Sequence, residues 1–368
     1  MDKLRTKIQL VVLSSLISLM GASAQVNSVA TVIEPSAAAK AKLQHNTDSV
    51  LKAYHCKIVK AVTSDSDVLV YQTDEKPKPT IVYLCSSNFF PFVVNSEFVA
   101  FPFNLKVLGD KYNLVMLQKP GIPIGSDSIN NNYINETIED GYYLSNNEKM
   151  PTEFVANNYC DFYVGQYTLL IDWLKQQPWV VKEAIYLIGH GQGAEIAPKI
   201  ADKQPDIKKV ALLSPGSLYN RFCEAIREIR LEETYHLVPA EDAQKRIDSL
   251  YTNFSDLVAN KNNRNELFDA FSYASFYSFS FPPMKDKILG MKQKTLLVYG
   301  THSIQDLDLD YLKLDLIASG KGNIDVFPYP GLDHNFLENT QNEKGETIGS
   351  VFYWDKVIAD VLTWLAKP

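Results

Sequence analysis

The chain has 368 residues, 46% hydrophobic and 21% charged, with 36 Lys and Arg against 43 Asp and Glu for a formal charge of −7. This is the composition of a folded protein with a sizeable core, and the acidic balance excludes nucleic acid and anionic membrane surfaces as expected partners. Four cysteines without a C-x-x-C spacing, and six histidines without an H-x-H or H-x-x-x-H pair, give no signature of a metal site.

Lys3, Arg5 and Lys7 precede an apolar stretch of about 13 residues, Ile8 to Met20, followed by Ala22-Ser23-Ala24. Basic start, apolar middle and small residues at a cleavage point are the marks of a secretory signal peptide over 1–24. The stretch is shorter than the roughly 20 apolar residues that cross a bilayer, and no later one is long enough. The expected mature chain therefore begins near Gln25, is exported to the periplasm or beyond, and has no membrane span. Removal of three basic residues and one acidic residue moves its charge from −7 to −9. Such a compartment permits disulfides, so Cys56, Cys85, Cys160 and Cys223 read either as buried free thiols or as one or more bridges.

A polar, Ala-rich lead-in from Gln25 to about Asn46 is expected to be mobile or loosely helical. Cys56 to Val62 and Asp67 to Gln72 alternate as a paired antiparallel ribbon would. Continuous apolar runs then recur at Thr80–Cys85, Asn113–Leu117, Ala184–Ile188, Lys209–Leu213 and Thr295–Tyr299, as central strands buried on both faces require. Between them, Tyr163, Tyr167, Leu170, Ile171 and Leu174 fall on one helical face. Strands alternating with helices predict an α/β fold with a mostly parallel sheet covered on both sides.

Two stretches break the alternation. Gly121 to Met150 is polar and aperiodic, and reads as a long surface loop. Between Leu213 and Thr295 lie about 80 residues of helical character, in which Ile247, Leu250, Tyr251, Phe254, Leu257 and Val258 fit one face. An insertion of this length at a sheet edge reads as a lid. Its aromatic run Phe271–Phe281 is either lid core or the lining of an apolar pocket.

Chemistry is expected at Gly189-His190-Gly191-Gln192-Gly193. The apolar run Ala184–Ile188 leads into it and a helix start follows, the strand, glycine turn and helix of a G-x-S-x-G nucleophile elbow with glycine at its centre. The same residues match G-x-G-x-x-A. A dinucleotide site, however, belongs on the first strand of its domain with an acidic residue about 20 positions on, so no cofactor is expected.

From about Ile58 to its end the chain resembles the α/β-hydrolase superfamily, particularly exported bacterial members similar to serine aminopeptidases and acyl-ester or thioester hydrolases. The resemblance rests on the elbow, on Gly331-Leu332-Asp333-His334 after a late strand, and on their order. It implies a hydrolase core over 25–214 and 291–368, a helical lid over 215–290, and a last helix over Val351–Ala366. It also implies that Gly191 stands at the nucleophile position, His334 is the base, Gln192 gives one oxyanion N–H, and the Ser86–Phe89 loop, beginning at Ser86, gives another. The acid position, three residues past Gly300, holds Ser303. Asp306 is the nearest substitute, Asp333 ranks below it, and the alternative site Ser214-Pro215-Gly216 carries no acid.

Two of the three triad positions thus lack the residue that hydrolysis needs. Glycine at 191 is explained by the strained elbow backbone, which is easy for glycine alone. The leading expectation is an exported, catalytically impaired α/β-hydrolase that keeps a pocket for an acyl, ester or peptide-like ligand, or an interaction surface. The alternative is an active hydrolase of esters, thioesters or short peptides with a non-standard site using His334.

Overall fold

Eight strands of the computed structural model form one sheet: β1 Cys56–Val59, β2 Val68–Tyr71, β3 Lys78–Leu84, β4 Asn113–Leu117, β5 Val180–His190, β6 Lys209–Leu213, β7 Lys294–Gly300 and β8 Ile324–Tyr329. They lie in the order β1-β2-β4-β3-β5-β6-β7-β8. β2 runs antiparallel to both of its neighbours, and every other pairing is parallel. The structure describes residues 37–60, 62–63, 66–87, 89–126, 134–135, 144–145, 150–268, 271–342 and 347–368. The expected signal peptide and most of the 121–150 loop lie outside the described residues.

The continuous apolar runs are central strands because both faces are covered. Val82, Leu84, Leu187 and Leu212 pack with α2 (Cys160–Leu174), α3 (Gln192–Lys203), α7 (Met284–Gly290) and α8 (Leu309–Ala318). Their strand neighbours Ile81, Tyr83, Ile188 and Ala211 face α1 (Ala37–Ala53) and α9 (Trp354–Ala366). Side chains alternate across a strand, so a run apolar at every position fills two cores. On α2, all five residues of the expected face are buried.

The region between β6 and β7 holds α4 (Arg221–Thr234), α5 (Ala240–Ala259), α6 (Tyr273–Ser280) and α7. Phe222, Ala225, Ile229, Ala243, Ile247, Leu250, Leu257 and Phe276 form a separate cluster there. Phe279, Met284 and Ile288 join the main core instead, which ties the insertion down at its carboxyl end.

Three local expectations need correction. The lead-in is helical from Ala37, as one of its two readings had it, but the helix runs on past Asn46 to Ala53 because Leu51 docks into the core beneath it. On α5, Tyr251 is 56% exposed and Val258 39%; the stripe that meets α4 is Ile247, Leu250, Phe254 and Leu257, and these two sit one step around the helix from it. Thr347–Phe352 pairs with Leu337–Gln341 as an antiparallel hairpin, so the last helix begins at Trp354 rather than at Val351. All four cysteines are free thiols, with Cys56 and Cys160 buried and Cys223 exposed.

β4 lies on one side of β3 and β5 on the other, so the chain leaves these neighbours in opposite directions. A crevice opens at the carboxyl ends of strands at such a reversal. The residues following β3 and β5 meet in that crevice.

Candidate active site

β5 ends at His190, and the chain turns at Gly191 directly into α3. Gly191 has φ +52° and ψ −118°, a conformation that is costly for any residue with a side chain. Its N–H donates to Leu213 O at 3.0 Å and its carbonyl accepts from Ala194 N at 2.9 Å, so the turn is held from both sides. Gly193 lets α3 approach the end of β3, since a Cβ there would lie 2.0 Å from Leu84 O. The N–H groups of Gln192 and Gly193 at the start of α3 have no carbonyl partner within the helix, and a helix start of this kind favours developing negative charge.

His334 stands on the turn after β8, its Nδ1 3.0 Å from Asp306 Oδ2. Asp306 is 1% exposed and its Oδ1 accepts the Gly216 N–H at 3.1 Å. The loop after β6, which carries no acid of its own, therefore braces the acid supplied from after β7. Ser303 is buried but its side chain makes no hydrogen bond among the described residues. Its carbonyl accepts the Asp306 N–H at 3.2 Å, opening a short 3-10 turn over Ile304–Asp306 that brings Asp306 beneath the imidazole. Asp333 is occupied elsewhere: it accepts the N–H groups of Asn335 and Leu337 and the Asn339 amide, fixing the turn that presents His334.

Burial disfavours charge on His334, but the hydrogen bond and charge of Asp306, with Asp333 and Glu195 beyond, outweigh it and raise its pKa above the ordinary 6.5. With Nδ1 committed to the carboxylate, Nε2 is the nitrogen left to take a proton. A Cβ on residue 191 would lie 3.5 Å from that atom. His190 packs beneath, its ring edge-on to Trp354 at 4.8 Å, and burial, with the charge of His334, pushes its pKa down to about 3.

Above this pair opens a cavity of about 700 Å³ bordered by Ser86, Gly191, Gln192, His334 and residues of the inserted helices. Phe271, Phe276 and Phe279 line it, while Phe276 also sits in the insertion's own cluster and Phe279 in the main core. The run thus serves both as packing and as part of the cavity wall, though the wall as a whole carries more polar than apolar surface. Gln192 and the start of the Ser86–Phe89 loop border the cavity; Asn88 lies outside the described residues. Among the described residues no three His, Cys, Asp or Glu side chains lie close enough to share a metal ion, and no helix is long and apolar enough to cross a membrane.

The cavity wall also holds charged residues that the motifs did not single out. Lys119, just past β4, is buried, donates to Gln192 Oε1 at 3.2 Å and lies 4.4 Å above the Tyr163 ring; burial pushes its pKa down. Glu195 is one turn into α3, and burial, opposed by Lys287 and Arg221, pushes its carboxyl up to about 7. Glu224 on α4 is likewise pushed up to about 7, by burial first. The sequence held a signal for two of these: Lys119 follows the carboxyl end of a central strand, where ligands bind in such sheets, and Glu195 lies four residues past the elbow and so on the same helical face.

No protein-family model matches the sequence, and no curated protein does. Among solved structures, the 2,6-dihydroxy-pseudo-oxynicotine hydrolase is similar with a TM-score of 0.51 at 13% identity, over 89% of this chain and 72% of that one. Naproxen esterase (carboxylesterase NP) from Bacillus subtilis gives 0.46 at 13% identity, over 91% and 100%. A putative dipeptidyl aminopeptidase IV from Bacteroides ovatus ATCC 8483 gives 0.45 at 14%, over 86% of this chain, which spans 36% of that protein's length. At these identities the likeness is one of fold.

Proposed function

We propose that this chain, which has the α/β-hydrolase fold, is an exported hydrolase of acyl compounds, namely esters, thioesters or short peptides, working from the His334–Asp306 pair. The observation that carries the reading is the 3.0 Å contact between His334 Nδ1 and Asp306, with Nε2 facing a cavity roomy enough for a substrate. A base oriented by a buried carboxylate is the part of a triad that activates the attacking group. The cavity's apolar wall of Phe271, Phe276 and Phe279 suits an acyl chain or apolar side group. Its backbone N–H groups at the start of α3 suit the oxyanion of a tetrahedral intermediate.

Glycine at 191 supports a second reading, in which the fold has kept its pocket for ligand binding and lost turnover. Incubating the purified chain from Gln25 onward with short- and long-chain nitrophenyl esters, a thioester and an aminopeptidase substrate separates the two. Turnover above a no-enzyme control supports the hydrolase; saturable binding of a substrate without turnover supports the ligand-binding protein. Export is tested separately, by fractionating the secreting cell and sequencing the amino terminus, which the proposal puts near Gln25.

A further inference from the structure

We propose that Ser86 is the nucleophile of this site, approaching from β3 to take the place that a side chain at 191 would hold. The inference rests on the hydrolase reading above and names the attacking group, which that reading leaves open.

Registry brings the two residues abreast. β3 and β5 are parallel neighbours with Leu84 opposite Gly189, and two residues further on each strand are Ser86 and Gly191. A Cβ at 191 would lie 2.6 Å from Ser86 Oγ, 3.4 Å from Ser86 Cβ and 3.5 Å from His334 Nε2. The first distance is closer than real Cβ contacts, so the serine hydroxyl occupies space that any side chain on the elbow would need. Glycine at 191 leaves that space to Ser86, whose hydroxyl any bulkier residue there would have to turn aside. Ser86 is half-buried and borders the cavity. Among the described residues neither its hydroxyl nor His334 Nε2 makes a hydrogen bond, so the hydroxyl is free to turn toward the imidazole. Contacts of this kind are often loose without substrate and tighten once it is bound.

The chemistry balances with the groups present. Ser86 Oγ attacks the substrate's carbonyl carbon as its proton passes to His334 Nε2, and Asp306 stabilises the imidazolium. The oxyanion is met by the N–H groups of Gln192 and Gly193 at the start of α3. As the intermediate collapses, the bond to the leaving group breaks and that group takes the proton from Nε2, leaving an acyl ester on Ser86. Water then attacks this ester, gives its proton to His334, and the acid leaves as Ser86 Oγ regains the proton.

The test treats the unmodified chain with a fluorophosphonate and maps the adduct by peptide mass spectrometry, so it does not depend on a variant folding. Nitrophenyl ester turnover is measured in parallel for the wild type, Ser86→Ala and His334→Ala. The expected result is a phosphonyl group on Ser86, formed with loss of fluoride and absent in His334→Ala, with turnover about 10²–10³-fold lower in Ser86→Ala. Turnover that needs His334 but survives Ser86→Ala, or an adduct on Cys85 or another residue, overturns Ser86 and leaves the hydrolase reading standing. An adduct on Ser86 with no turnover of any substrate supports the nucleophile and overturns acyl hydrolysis. Neither adduct nor turnover overturns both.

Discussion

Asp306 holds His334 by a 3.0 Å contact to Nδ1 although it lies three residues past the position where the motif places an acid. Asp306→Asn keeps the shape of the site but removes the charge and admits the wrong imidazole tautomer. The expected loss in kcat is about 10²–10⁴-fold. Ser303→Ala, at the motif position, should leave kcat close to that of the wild type. Steady-state kinetics of the two variants side by side checks this, and equal losses would show that the charge of Asp306 is not what sustains His334.

The pH profile follows from the His334 environment. The base must be neutral, so kcat/KM should rise with pH through the His334 pKa, which lies above 6.5. Asp306→Asn removes the groups that raise it and should move that limb to lower pH. The linked stability has the opposite sense: a raised folded-state pKa adds stability that is fully present below 6.5 and is lost as pH rises through the folded value. Glu195, pushed up to about 7, titrates over the same range. Glu195→Gln separates the two, since the limb that persists in this variant belongs to His334. A pH–rate series from roughly pH 5 to 9 for the three proteins reads this directly.

Placing a serine at the elbow should not improve turnover by itself. Gly191→Ser places a Cβ 2.6 Å from Ser86 Oγ on a backbone at φ +52°, and strain of this kind amounts to about 1–3 kcal/mol. The expected outcome is a lower Tm. The double variant Gly191→Ser, Ser86→Gly removes the clash and should recover part of the Tm, with Gly191→Ser turning over esters better in its company than alone. Thermal melts and ester kinetics of the three proteins check both halves.

Phe276 joins the insertion to the pocket. It is buried with Phe222 and Phe268 and lines the cavity. Phe276→Ala should destabilise by about 3–5 kcal/mol, felt first in the inserted helices, and should raise KM for long-chain esters more than for acetyl esters. Hydrogen exchange over α4 to α6, with KM measured against chain length, tests the two consequences.

Much of this was legible in the residues. Five apolar runs gave central strands because only strands buried on both faces are apolar at every position, and Ala184–Ile188 leading into Gly189–Gly193 located the elbow. The His334 turn could be read from Gly331-Leu332-Asp333-His334. Asp306 could be named as the nearest substitute acid, but not how it reaches the imidazole, because that depends on a short 3-10 turn that swings it beneath the ring. The resemblance put the Ser86 loop beside the elbow as an oxyanion donor, but that the Ser86 hydroxyl itself lies against Gly191 was hidden. It arises from the register of β3 on β5, and strands separated by about a hundred residues of sequence do not announce their register. The extent of α5's buried stripe failed for a similar reason: Tyr251 and Val258 are apolar enough for the face, but α4 covers only its near side.

If His334, held by Asp306, drives acyl hydrolysis in this pocket, removing its imidazole should abolish turnover. Comparing kcat/KM of the wild type and His334→Ala on the best ester or thioester found tests it most directly. The expected result is measurable wild-type turnover that falls at least about 10²-fold in the variant. Turnover unchanged by the substitution, or none from the wild type on any acyl substrate while it still binds them, would contradict it.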